Sequence, residues 1–313
     1  MARLTILEKH ELEKLAARFG ISELEGTSTI PGGTANSSFL IQSPKQKYVL
    51  TVCNDKNFRE IAQLTGLLNA LENERFPTSR LRPTLNGVLF GEYRGLPIIL
   101  KEYIEGSCPL NPTPTMAWKI GKALGNLHHI AFDGDIPNEH PYGLSHFSDV
   151  TESGINHQFI PWLSEQVDYL SQHINTTLPK SIIHGDAFFD NMIFQGENLT
   201  ALIDFEEACR YYSVFDLGMC IVGTCAEDSE IDVVRLTALF KGYQTVRLLT
   251  PEELDQVLLF IQYAATATAF WRFRQYHMHH PDKNRKHKHD EMVALSNAVR
   301  KMPKATFLNA IQK

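Results

Sequence analysis

The feature that most constrains the fold is a change in hydrophobic pattern near residue 104. Before it, apolar residues form short β-rich runs separated by breakers such as Pro31-Gly32-Gly33; after it, they recur at helical spacing over long stretches. We expect an α+β chain of two lobes, over residues 1–104 and 105–313. The first would be a small antiparallel sheet with one main helix, and the second would be larger and mainly helical.

The element order follows from the same pattern. A helix is expected after a capping box formed by Thr5 and Glu8, ending at Gly20. Strands are then predicted over 26–30, 37–41, 48–53, 87–93 and 97–103, with the main helix around 61–71. In the second lobe we predict helices over 115–129, 160–174, 232–243, 251–275 and 284–302, interrupted by short strands over 181–183, 192–194 and 199–203.

Composition excludes several classes of function. The net charge of -6 gives no basic field for nucleic acid, and the chain has no apolar run of membrane-spanning length. Five cysteines without metal-like spacing indicate reduced thiols. We therefore expect a cytoplasmic protein that acts on a small molecule and contacts neither nucleic acid nor membrane.

The interruption in the second lobe carries the strongest chemical signal. In the segment Ile183-His184-Gly185-Asp186, an Asp follows an apolar run and can accept the proton of a substrate hydroxyl. Asn191 stands five positions later and can hold a metal ion, while Asp204 ends the next apolar strand. Amide and carboxylate oxygens suit Mg²⁺, so the pattern predicts phosphoryl transfer from ATP.

These residues resemble the catalytic and metal loops of the aminoglycoside phosphotransferase and choline kinase superfamily, which has a protein-kinase-like fold. Within it, the pattern is most similar to bacterial type II homoserine kinases. That similarity rests on the segments 36–39, 48–51, 190–191, 202–205, 208–209, 215–217 and 270–274.

The resemblance implies roles for individual residues. Asp186 would be the catalytic base, braced by His184, and Asp216 would bond the catalytic-loop backbone. Asn191 and Asp204 would hold Mg²⁺, and Arg274 would bind the carboxylate of an amino-acid substrate unless it pairs with a neighbouring acid. Nucleotide-binding residues are expected in the first lobe, at Gly33, Asn36, Ser37, Ser38, Thr51, Glu102 and Ile104.

The chain departs from the kinase pattern at the phosphate clamp. Thr51 stands where a third-strand Lys is usual, and Gly66 stands near the place of its Glu partner. Lys47 and Lys101 are the candidate replacements. Phe189 also replaces a residue that is often basic in the subfamily.

Several alternatives remain open at this stage. The acceptor is predicted to be L-homoserine, with choline, methylthioribose or an aminoglycoside as the other small alcohols. A non-catalytic nucleotide-binding pseudokinase is the rival from another class. Glu206 or Glu207 would face a substrate ammonium group or stay solvated. The histidines between 277 and 289 fit a solvated helix connection better than a metal site, because no cysteine or carboxylate pattern completes a ligand set.

Overall fold

The computed structural model describes residues 5–31 and 36–312, and the chain forms two compact units. The first unit contains the chain up to Gly106 with residues 132–136 and 200–203; the second contains residues 107–131, 137–199 and 204–313. Among the described helices, none is both long and apolar enough to cross a membrane.

The first unit is built on a five-stranded antiparallel sheet with strand order β1-β2-β3-β5-β4. Its elements are α1 (Lys9–Arg18), β1 (Gly26–Ile30), β2 (Ser37–Gln42), β3 (Lys47–Val52), α2 (Phe58–Asn73), β4 (Gly91–Tyr93) and β5 (Leu96–Glu102). The predicted order of strands and main helix is therefore confirmed. The predicted strand over 87–93 was too long, because only its last three residues pair.

The cap of α1 differs from the prediction. The capping box is made by Glu8 and Glu11, one turn later than expected. Thr5 is used elsewhere: its hydroxyl donates to Asn54 at 2.6 Å and its N–H donates to Ser37 at 2.7 Å. The predicted Thr5 cap was wrong because these tertiary bonds compete with local capping.

The two faces of the sheet have different uses. One face packs with α1 into a core that includes Phe39, Leu50 and Leu100. Because successive side chains alternate between faces, Lys47 and Thr51 lie on the opposite face of β3.

The second unit is mainly helical. Its helices are α3 (Pro114–Leu127), α4 (Ser148–Thr151), α5 (Phe159–His173), α6 (Ser213–Cys225), α7 (Val233–Gln244), α8 (Pro251–Phe273), α9 (Lys288–Lys301) and α10 (Lys304–Gln312). Its short strands, with β8 running into the first unit, are β6 (Lys180–Ile183), β7 (Met192–Gln195), β8 (Asn198–Leu202), β9 (Cys209–Tyr212), β10 (Ala226–Glu227) and β11 (Glu230–Ile231). Helix α8 continues into a π-helical turn over Arg274–His279.

Two features of this unit position the candidate site. Strand β6 pairs antiparallel with β9, from Lys180 opposite Tyr212 to Ile183 opposite Cys209. Helix α6 begins directly after β9, and all of its residues are buried. The catalytic-loop segment therefore starts at the end of a paired strand, next to a fully buried helix.

Candidate active site

The predicted catalytic loop leaves β6 through a glycine that no other residue can replace without strain. Gly185 has φ +83°, and a Cβ there would lie 2.5 Å from the Glu207 carbonyl oxygen and 2.9 Å from His140 Nε2. Only glycine tolerates both the left-handed backbone and this close approach. The turn fixes the direction in which the next residue, Asp186, points.

Asp216 on α6 holds the loop through its backbone N–H groups. The two carboxylate oxygens of Asp216 accept the N–H groups of His184 at 2.8 Å and Gly185 at 2.9 Å. Burial alone would raise the pKa of Asp216, but the bond from His128 and the neighbouring histidines hold the pKa below its usual range. Asp216 is thus an ionised, buried anchor for two consecutive loop amides.

A chain of buried polar groups supports that anchor. His128 Nε2 lies 3.1 Å from Asp216 Oδ2, and its Nδ1 lies 2.7 Å from the Tyr243 hydroxyl. Arg247 donates to the same hydroxyl at 3.0 Å and pairs with buried Glu253 at 2.7 Å. Arg247 donates to the Tyr243 hydroxyl, the hydroxyl donates to His128 Nδ1, and His128 Nε2–H donates to Asp216. The proton of the neutral His128 ring is therefore on Nε2.

His140 also holds the loop, through the carbonyl group of Gly185. His140 Nδ1 accepts the Tyr142 N–H at 3.2 Å, so its Nε2–H donates to the Gly185 carbonyl at 2.9 Å. Burial lowers the pKa of His140 to about 4, which keeps the ring neutral in this role. The predicted brace, His184, is buried, packs on Phe205 and accepts the Asp186 N–H at 3.3 Å.

Asp186 and Asn191, five positions apart in the loop, are joined by hydrogen bonds. The Asn191 amide donates to the Asp186 carbonyl at 2.8 Å and to its carboxylate at 2.9 Å. The Asn191 Nδ2 group therefore orients the Asp186 carboxylate, and Oδ1 is the side-chain atom that could hold a cation.

Three other carboxylates lie close enough to affect Asp186. Burial and the charges of Asp204, Asp190 and Glu207 raise the pKa of Asp186 to about 7. Asp204 has φ +66°, a conformation that Asp tolerates better than most residues. Of the two glutamates singled out in the sequence, Glu207 accepts the Tyr142 hydroxyl at 2.7 Å.

A cavity of about 170 Å³ opens beside Asp186 within the second unit. Its walls combine two acids, one guanidinium, a Tyr, a Thr and three apolar side chains, namely Tyr142, Asp186, Phe188, Asp190, Met219, Thr268, Trp271 and Arg272. Drug-sized ligands usually occupy pockets of roughly 300–1,000 Å³. This cavity suits a smaller molecule that carries both charges.

The guanidinium that lines the cavity is Arg272, whereas the sequence analysis selected Arg274. Arg274 pairs with Asp149 at 3.0 Å and lies over the Phe270 ring at 4.8 Å, which is the ion-pair alternative. Arg272 Nη1 donates to the Lys288 carbonyl and to Glu291, both at 2.9 Å. Arg274 was selected from the family resemblance, which does not identify Arg272.

The predicted nucleotide-binding residues lie in the first unit. Thr51 is buried on β3, and its hydroxyl lies 3.2 Å from that of Ser38 on β2. The Ser37 hydroxyl accepts from Asn54 Nδ2 at 3.0 Å, and Asn36 Oδ1 accepts the Asn54 N–H at 3.2 Å. Gly33 lies outside the described residues.

The segment 102–104, which connects the two predicted lobes, and the candidate cations Lys47 and Lys101 are also in this unit. The Glu102 N–H donates to the Arg80 carbonyl and the Tyr103 N–H donates to the Lys47 carbonyl. Lys47, the first residue of β3, forms an ion pair with Glu105 at 2.9 Å. Lys101 lies opposite Val49 in the pairing of β3 with β5.

Proteins of known activity resemble this chain over most of its length. Curated homoserine kinases of Agrobacterium fabrum and of a Chelativorans species are 29% and 30% identical, each covering 83% of this chain and 83% of the relative. The homoserine kinase of Rhizobium meliloti is 28% identical over 88% of this chain and 86% of its own.

Solved structures establish the fold. An amicoumacin kinase in complex with AMP-PNP and Ca²⁺ superposes with a TM-score of 0.75 at 11% identity, covering 96% of this chain and 97% of its own. A microcompartment-associated aminopropanol kinase superposes with a TM-score of 0.72 at 15% identity, covering 97% of this chain and 98% of its own. A spectinomycin phosphotransferase in complex with ADP and spectinomycin gives 0.67 at 16% identity, covering 98% and 97%. The predicted fold class is confirmed.

A family model matches residues 26–249, which span the sheet, the catalytic loop and the Asp216 anchor described above. The match covers well over half of the sequence. This chain belongs to the phosphotransferase enzyme family.

Proposed function

We propose that this chain transfers the γ-phosphoryl group of ATP to the hydroxyl of L-homoserine. The curated relatives that it resembles over more than four fifths of its length carry that activity in their names. The observation that carries the proposal for this chain is the cavity, which places two carboxylates and the Arg272 guanidinium around one small space beside Asp186.

The cavity chemistry favours a zwitterionic acceptor over the other alcohols. A carboxylate requires paired N–H donors, which a guanidinium supplies, and an ammonium group requires acidic oxygens such as those of Asp190. Choline and methylthioribose have no carboxylate for Arg272. The volume of about 170 Å³ is small for an aminoglycoside.

In this mechanism Asp186 orients the acceptor hydroxyl and receives its proton. The Asn191 amide fixes the carboxylate, and the amides bound by Asp216 fix the loop that carries it. A group with a pKa of about 7 is suited to accept a proton at neutral pH. Catalysis then depends on position and on charge neutralisation.

Magnesium fits the same group of side chains. Asn191 Oδ1 and the Asp204 carboxylate are hard oxygen ligands. Burial and the charges of the neighbouring acids raise the pKa of Asp186, and a bound cation would offset the repulsion among these acids. When bound, Mg²⁺ would neutralise phosphate charge. We assign adenine and phosphate binding to residues of the first unit: Asn36, Ser37, Ser38, Thr51, Glu102 and Ile104, with Gly33.

The proposal is tested with acceptors that differ by one group. Wild-type protein is assayed for ATP-dependent phosphorylation of L-homoserine, 3-amino-1-propanol, choline, methylthioribose and an aminoglycoside. 3-Amino-1-propanol is homoserine without its carboxylate. We expect kcat/KM to be highest for L-homoserine. A higher value for any other acceptor would reject homoserine as the substrate, and Mg-ATP binding without turnover of any acceptor would support a non-catalytic protein.

Two arginine variants form a matched pair. Arg272→Gln is expected to raise KM for L-homoserine about 10- to 100-fold, because a charge-assisted bond contributes about 1.5–3 kcal/mol. KM for ATP should not change, and neither should KM for 3-amino-1-propanol. Arg274→Gln should leave all three values within about twofold. The reverse result would assign the carboxylate contact to Arg274, as the sequence first suggested.

A further inference from the structure

Three histidines from distant parts of the chain converge in the second unit, outside the candidate active site. His157 precedes α5, His277 lies in the π-helical turn after α8, and His289 lies in the first turn of α9. One ring nitrogen from each lies within 4.8 Å of those of the other two. No sequence pattern links His157 to the histidines at 277 and 289.

One backbone carbonyl fixes the tautomers of two of these rings. The Lys286 carbonyl accepts from His277 Nε2 at 2.8 Å and from His289 Nδ1 at 2.8 Å. In the neutral rings, His277 Nδ1 and His289 Nε2 therefore carry lone pairs. A hydrogen bond from the far nitrogen to a carbonyl is the usual way in which proteins orient metal-binding histidines.

The Asp290 carboxylate lies beside the lone pair of His289. Asp290 Oδ1 lies 3.3 Å from His289 Nε2, the nitrogen that has no proton in the neutral ring. Two acceptor atoms at this distance repel unless a proton or a cation lies between them. The same separation is typical of two ligands in a tetrahedral site with bonds of about 2.0–2.1 Å.

Aromatic side chains surround the cluster and leave one side open. Phe273 stacks on His277 with ring centroids 4.1 Å apart, and Phe159 packs edge-on against His289 at 4.9 Å. His289 is buried, whereas His157 and His277 are only partly buried. A metal ion could therefore enter from the side of His157 and His277.

His157 is the ligand that must adjust. Its Nδ1 accepts the Phe159 N–H at 3.1 Å, so the proton of the neutral ring is on Nε2. Binding through Nε2 requires that proton to leave or to move to Nδ1, and a proton on Nδ1 would break the hydrogen bond from the Phe159 N–H. We expect this rearrangement to weaken affinity without preventing binding.

We propose that His157, His277 and His289, with Asp290, form a binding site for a first-row divalent metal ion of the Zn²⁺ class. Imidazole ligands select Zn²⁺, Co²⁺, Ni²⁺ or Cu²⁺ over Mg²⁺, which prefers oxygen. The ion would connect the start of α5, the π-helical turn and the start of α9. Arg272 is anchored to Lys288 and Glu291 on that same start of α9. The site would thus stabilise the part of the fold that holds the Arg272 side chain.

The test uses Co²⁺ and Zn²⁺ on full-length, tag-free, chelator-treated protein with Cys108→Ser, since the exposed Cys108 thiol is a competing ligand. Excess Mg²⁺ occupies the acidic residues around Asp186. We expect one equivalent of Co²⁺ to bind with the intense visible absorption of a tetrahedral ion. One equivalent of Zn²⁺ should displace it and raise the thermal unfolding midpoint by several degrees.

Variants identify the ligands. His277→Gln and Asp290→Asn, both at positions that are not buried, should each weaken Co²⁺ binding at least tenfold. His287→Gln, an exposed histidine two residues from His289, is the matched control and should bind as the parent does. The metal-free variants should unfold at the parent's temperature. Equal Co²⁺ affinity in all three variants, an octahedral spectrum, or no binding would each overturn the proposal. None of these readouts depends on kinase activity.

Discussion

At Asp186, the surroundings oppose the ionised form that phosphoryl transfer requires. Burial and three neighbouring acids raise the pKa of the carboxyl to about 7, while the Asn191 amide works in the opposite direction. One of these acids, Asp204, is a ligand that we assign to Mg²⁺. A cation bound there would offset the repulsion and favour the carboxylate, so the strain at Asp186 and the metal requirement have one cause.

The first prediction concerns Asp186→Asn. The variant keeps an oxygen that can accept from Asn191 but cannot take a proton from the acceptor hydroxyl. We expect kcat to fall about 10²- to 10⁴-fold while Kd for Mg-ATP changes less than threefold. Steady-state kinetics and nucleotide titration measure the two effects. An unchanged kcat would remove Asp186 from the proton-transfer role.

The second prediction separates the metal ligand from its neighbours. Asp204→Ala removes an anionic oxygen, so Mg²⁺-dependent ATP binding should weaken at least tenfold and turnover should be lost. Asp168→Asn, which removes an exposed charge from α5, is the control and should change neither. Normal Mg-ATP affinity in Asp204→Ala would show that Asp204 does not bind the metal.

The residues that could be predicted from sequence are those that share a contiguous segment. Asp186 and Asn191 were both selected from one short loop, and the hydrogen bond between them is a finding of the structure. His140 and Tyr142 could not be found in this way, because they reach Gly185 and Glu207 from a separate loop. Arg272 was missed because the resemblance selected Arg274, and the cavity that Arg272 lines forms only in the folded chain.

At the scale of elements, hydrophobic periodicity predicted most of the long helices but not α10, which has several exposed residues. It also missed α6, which has no polar face because every residue is buried. The β6–β9 pairing was missed as well, because its partners are joined only through tertiary structure. Helix α6 and the β6–β9 pairing both hold the catalytic loop. Local pattern thus predicted the motif but not its support.

The third prediction concerns the packing of α3 on α7. A Cβ at Gly121 would lie 2.0 Å from the Leu239 carbonyl oxygen, and one at Gly242 would lie 1.9 Å from the Trp118 carbonyl oxygen. The two helices therefore touch backbone to backbone at these glycines. We expect Gly121→Ala to lower the free energy of unfolding by about 1–3 kcal/mol, because the helices must separate.

Gly66 on α2 is the matched control. A Cβ there meets nothing within 4 Å, so Gly66→Ala should raise the free energy of unfolding by about 0.4–1 kcal/mol. Denaturant unfolding measures both variants. If Gly121→Ala is as stable as wild type, the close helix contact does not limit stability.

At the scale of the whole molecule, the candidate site should cost folding stability in a pH-dependent way. In the unfolded chain Asp186 has an ordinary pKa near 4, whereas in the folded chain the pKa is about 7. Between these values the folded protein binds the extra proton. The contribution of this group to stability therefore decreases as pH rises through that window and is constant above it.

The last prediction follows from this sign. Asp186→Asn removes the titrating group, so the variant should unfold at a higher temperature than wild type at pH 8, by an amount equivalent to about 1–3 kcal/mol, and the difference should shrink toward pH 5. Mg²⁺ and ATP must be absent, since the cation would favour the ionised carboxyl and the negative phosphates of ATP would oppose it. Calorimetry at both pH values measures the two midpoints. A variant that is less stable than wild type at pH 8 would mean that the surroundings stabilise the ionised carboxylate, and that burial and the neighbouring acids do not raise the pKa of Asp186.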